Sequence, residues 1–83
     1  MKKKIDTIAK FLTYKIKNKK KKYKNLKNNE NFFDFGMDSL DYIKLIFEIE
    51  NEYNVSINPK NYSKLISINK LKIHVKKLLI SLK

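Results

Sequence analysis

The sequence predicts an all-α fold: a small four-helix bundle of three longer helices and one short one, with a long first loop. Three observations carry that expectation. Gly36 and Pro59 are the only Gly and Pro in the chain, so few positions interrupt a helix. Apolar residues recur at three- and four-residue spacing rather than in alternation. The 83 residues suffice for one domain, 1–83, with a core that buries about 60% or slightly more of the unfolded surface.

The first helix is placed at about 3–17, where Ile5, Ile8, Leu12 and Ile16 form one stripe that Ala9 and Phe11 widen. Residues 17–31 are rich in Lys and Asn, with Tyr23 and Leu26 as the only large apolar groups. They read as a solvated, mobile loop. The stretch "FFDFG", 32–36, reads as a loop that packs its aromatics on the bundle. A second helix runs over about 39–54, with Tyr42, Leu45, Ile46, Ile49 and Tyr53 on a buried face. Leu40, Ile43 and Phe47 make a second apolar stripe on it, more than one core face requires. Asn58 caps and Pro59 opens a short helix, 59–65. Ser67 caps the last helix, 67–82, whose core stripe is Leu71, Val75, Leu78 and Leu82.

Composition excludes several functions. Without Cys there is no disulfide framework, thiolate metal site or cysteine nucleophile, and any thiol chemistry needs a thiol from elsewhere. No apolar run approaches the roughly 20 residues of a membrane span, and Asp6, Lys10 and Lys15 interrupt what would be a signal-peptide core after "MKKKI". A cytoplasmic monomer that does not insert into membrane is expected. The formal net charge is +12, all of its cations Lys. Lys, Asn and Ile supply 41 of the 83 residues, a pattern of A/T-rich coding, and Arg, the usual bidentate reader of bases and phosphates, is absent. The charge is unevenly placed. Residues 30–52 hold seven acids against Lys44 alone, net −6, while the rest hold 19 Lys and Asp6, net +18.

At the head of the acidic segment stands "FGMDSLDYIKL", 35–45. With Asp38 at the N-cap, Ser39 takes the first helical position and Asp41 the third, a capping-box-like start that accounts for both aspartates. It does not account for Ser39, whose hydroxyl is left facing outward. A phosphate ester there would meet the free N–H groups and positive dipole end of a helix. Ser39 has no support as a catalytic nucleophile. The single His, His74, lies far along the chain and no Gly-x-Ser-x-Gly elbow surrounds the serine. No catalytic residue and no metal site is expected.

The segment "FGMDSLDYIKLIFEIENEYNVSI" resembles the centre of acyl carrier proteins over about 32–68: a Gly-x-Asp-Ser-Leu turn (Gly36, Asp38, Ser39, Leu40), an amphipathic helix with acids and an aromatic (Tyr53), then a connector ending at Ile57. The resemblance implies a non-catalytic carrier. Ser39, beside Asp38, would bear 4'-phosphopantetheine, taken from coenzyme A by a phosphopantetheinyl transferase using a divalent metal. The arm's thiol would carry acyl groups as thioesters in fatty-acid biosynthesis or a specialised acyl or aminoacyl pathway. Leu40, Asp41, Ile43, Lys44, Phe47 and Glu48 would face the acyl-transferring and acyl-synthesising enzymes, with Glu50 and Glu52 extending the acidic part. Ile46, Tyr62, Leu65 and Ile68 would line the acyl pocket.

Two features depart from that family. The chain is basic where the family is typically acidic, and Lys44 and Asn51 stand where acids are usual. These point to a specialised carrier. Two other readings compete: a small basic helical domain that binds nucleic acid or anionic membrane through its Lys, and a regulatory module phosphorylated at Ser39. The second apolar stripe favours the carrier, which binds no nucleic acid.

Overall fold

The computed structural model describes residues 2–81, with side chains described from Thr7 to Ser81. Three α-helices, α1 (Lys2–Lys17), α2 (Ser39–Tyr53) and α3 (Ile68–Ser81), are joined by 3-10 segments at Lys21–Tyr23 and Pro59–Lys64. There is no strand among the described residues. The helices follow the expected boundaries to within one residue or two. The expected short helix is a 3-10 one, opened by Pro59 after Asn58, whose side chain accepts the Lys60 N–H at 3.0 Å.

α1 packs mainly along α3 and more lightly on α2. Ile8, Leu12 and Ile16 of α1 meet Leu45, Ile46 and Ile49 of α2 and Ile68, Leu71 and Val75 of α3 in one buried cluster. Leu78 joins it only half-buried; Ile5 and Leu82 lie outside the described side chains. α2 ends at Asn54, in the left-handed conformation, whose N–H donates to the Glu50 carbonyl. Ser67 caps α3, accepting the Lys70 N–H at 3.2 Å.

The Lys/Asn-rich segment departs from expectation. Instead of a mobile loop, residues 17–31 form a strap across the bundle. Tyr23 and Leu26, three apart, turn inward and are buried with the core. Phe32 N–H donates to the Ile66 carbonyl at 2.8 Å and Asn69 N–H to the Asn28 carbonyl at 3.0 Å, tying the strap to the start of α3. Two anchored apolar side chains outweigh a hydrophilic composition, because each contributes about 1.5–3 kcal/mol by burial. The aromatic stretch after the strap behaves as expected: Phe32 is buried and Phe33 lies 5.5 Å from the Tyr42 ring, centroid to centroid.

Candidate functional site

The site is built at the strap–α2 junction. Gly36 sits at φ +98°, a backbone conformation open to glycine at little cost. Its carbonyl accepts from Lys22 Nζ at 2.7 Å. Met37 then buries its side chain and Asp38 caps α2, its Oδ1 accepting the Asp41 N–H at 2.8 Å. Ser39 is consequently the first helical residue, exposed to solvent, as the motif requires.

Asp41 differs from its expected role. It closes no reciprocal capping box and presents no charge to a partner. It is 8% exposed, its Oδ2 accepting from the Tyr23 hydroxyl at 3.1 Å and pairing with Lys20 Nζ at 3.0 Å. The strap drives this: burying Tyr23 brings its hydroxyl to the Asp41 carboxylate. The bonded Lys20 ammonium holds the Asp41 carboxyl below its ordinary range, with the Tyr23 hydroxyl helping and burial opposing. Burial, then the Asp41 bond, pushes the Tyr23 phenol up to about 12, so it stays protonated and donates.

Glu48, Glu50 and Asp38 are also engaged. Glu48, on the same flank of α2 as Asp41, lies 3.8 Å from Lys15 Nζ and 3.4 Å from Lys19 Nζ. Glu50 accepts the Ile57 N–H at 2.8 Å, securing the connector after α2 rather than facing a partner. Asp38 Oδ2 lies 4.0 Å from Lys20 Nζ. Sequence reasoning missed Lys15, Lys19, Lys20 and Lys22; the sign of it was the pair Tyr23 and Leu26, whose spacing marks an inward-facing turn.

The second apolar stripe is present. Leu40 is 64% exposed and Phe47 56%, with Lys44 exposed between them and Ile43 half-buried beside them. The expected pocket residues do not line an open cleft. Ile46, Leu65 and Ile68 are closed core side chains, and half-buried Tyr62 packs edge-on against Tyr42 at 5.7 Å between centroids. The Tyr42 hydroxyl donates to the Leu65 and Tyr62 carbonyls at 2.7 and 3.1 Å, drawing the 3-10 segment onto α2 and filling that space. Leu65 also edges a separate shallow groove with Lys64, Lys70, Ile73, His74 and Lys77. No cluster of three metal-ligating side chains occurs among the described residues.

A family model described as the phosphopantetheine attachment site matches residues 22–75, more than half of the chain and including Ser39. The chain belongs to the phosphopantetheine attachment-site family. The family's site is where 4'-phosphopantetheine is covalently attached, so this chain is a non-catalytic carrier of that group. Among solved structures, an acyl carrier protein from Thermotoga maritima has the same fold, at TM-score 0.77 and 22% identity, with 95% of this chain and 94% of that one covered. No curated protein sequence matches.

The residues present fit the group. An exposed hydroxyl on the first residue of α2 gives a transferase access, and the helix start favours a phosphodiester. When attached, the group supplies the thiol that the Cys-free chain lacks. Asp38 fixes the helix start that presents Ser39, and Lys20 offsets the carboxylates closest to it.

Proposed function

We propose that Ser39 is the attachment residue, and that the loaded chain shuttles acyl groups as thioesters between the enzymes of a dedicated acyl or aminoacyl pathway. The observation that carries this reading is the exposed Ser39 at the head of α2, capped by Asp38 and followed by the outward stripe of Leu40 and Phe47. Assignment to a dedicated pathway rests on Asp41 and Glu48 of α2, which are paired with the chain's own lysines instead of standing open to general fatty-acid enzymes.

The cargo site proposed here is the space between α2 and the 59–68 segment, entered by displacing Tyr62. Acyl groups enter it by parting Ile46, Leu65 and Ile68, whose side chains are buried.

The absence of Cys gives a direct test. After incubation with coenzyme A, magnesium and a phosphopantetheinyl transferase, the purified chain should react with one equivalent of a thiol reagent where it previously reacted with none. The Ser39→Ala chain should stay unreactive. A thiol gained equally by both would move the attachment elsewhere. Failure of the loaded thiol to accept acyl groups from general fatty-acid enzymes, with acceptance from an adenylating enzyme for another acid, would establish the dedicated pathway.

A further inference from the structure

The outward side of α2 was expected to be acidic, and two of its carboxylates, Asp41 and Glu48, are instead paired with cations from other parts of the chain. From Asp38 to Glu48 the helix start and flank hold three carboxylates. Asp41 is bonded to Lys20 at 3.0 Å, Asp38 lies 4.0 Å from the same ammonium, and Glu48 lies between Lys15 and Lys19 at 3.8 and 3.4 Å. Lys22 reaches the Gly36 carbonyl at 2.7 Å, three residues before Ser39, and Lys44 stands exposed between Leu40 and Phe47. Three ammonium groups, those of Lys15, Lys19 and Lys20, therefore attend three carboxylates beside the apolar stripe. The lysines come from the end of α1 and from the strap, whose position is fixed by buried Tyr23 and Leu26.

We propose that Lys15, Lys19 and Lys20 mask the acids of α2, and that the docking partner meets this face with carboxylates around an apolar recess that receives Leu40 and Phe47. The proposal rests on the carrier reading above. A partner bearing Lys or Arg must displace the chain's own lysines before it gains an ion pair, and it meets the ammonium of exposed Lys44 as well. A partner bearing Asp or Glu gains from Lys44, Lys22 and the outer faces of the masking lysines without breaking anything. Like charges set face to face across an interface select against wrong partners more strongly than matched charges add affinity. Lys15, Lys19 and Lys20 are thereby specificity-determining residues, acting through the carboxylates they cover.

The test is the rate of loading by a transferase with a basic docking surface, using coenzyme A and magnesium, read as kcat/KM by intact mass. Three chains are compared: the unaltered one, Lys15→Gln/Lys19→Gln, and Lys70→Gln/Lys77→Gln on the outward face of α3, which loses the same charge away from α2. The first double variant should load about two- to fivefold faster at low salt, the range set by exposed ion pairs. That gain should disappear at about 0.5 M salt, where screening reaches only about 4 Å. The α3 variant should load at the unaltered rate. Equal gains in both doubles would make net charge the cause and overturn the mask; so would no gain in the first. In a second arm, reversing the transferase's docking lysines and arginines to Glu should speed loading of the unaltered chain, and slower loading would overturn the acidic partner. If the unaltered chain gains no group with several transferases, the carrier reading itself fails and takes this inference with it.

Discussion

At Ser39 the hydroxyl stands on the first residue of α2, and the cap that builds the helix belongs to its neighbour. Ser39→Ala should therefore leave the thermal midpoint within error while abolishing loading. Asp38→Ala should lower stability by about 0.5–2 kcal/mol, the cost of a lost N-cap, and slow loading as well; urea unfolding and the loading rate check both. Asp41 makes the pH prediction. Its folded carboxyl titrates below its ordinary value of 3.8, so the unfolded chain binds the proton more readily. Its stabilisation is fully present above that value and is lost as pH falls below about 4. Asp41→Asn should flatten this part of the acid limb in urea midpoints taken between about pH 6 and pH 3. Asp38 and Ser39 were legible because a capping motif needs only local chemistry. The burial of Asp41 was not, since its partners Tyr23 and Lys20 lie 18 and 21 residues away in sequence and only the folded strap brings them together.

At the scale of elements, the three helices were legible from apolar spacing and the few breakers, and the caps at Asp38, Asn58 and Ser67 all form. The strap was misread because composition outweighed position: two inward side chains are enough to dock a segment of otherwise solvated Lys and Asn. Leu26→Ala should cost about 2–5 kcal/mol in urea unfolding, as a core residue does, where a solvated loop would lose almost nothing. Tyr23→Phe should cost about 0.5–1.5 kcal/mol by leaving the buried Asp41 one donor short. The proposed cargo residues were legible as core positions but not as a cavity. A helical stripe reports which side chains face inward, and the closing of the 59–65 segment onto Tyr42 is decided by one hydroxyl proton shared between the Tyr62 and Leu65 carbonyls, a contact that carries no periodicity.

For the molecule as a whole, charge and fold answer to different constraints. The core is that of a small helical carrier, while the +12 net charge spreads over the exterior and folds back onto the acids of α2. The segregation of charge was legible in the sequence; its cancellation was not, because a linear count places Lys15, Lys19 and Lys20 in one region and Glu48 and Asp41 in another. Net charge of this size repels itself in the compact state, so raising salt should increase the thermal midpoint by several degrees, seen in melting curves at low and at about 0.5 M salt.

The start of α2 at Asp38 serves to present one serine for attachment. Fragmentation mass spectrometry of the loaded chain tests it most directly. A single phosphopantetheinyl increment should appear, confined to fragments that contain Ser39. An increment mapped to any other residue, such as Ser56, Ser63 or Ser67, would contradict it.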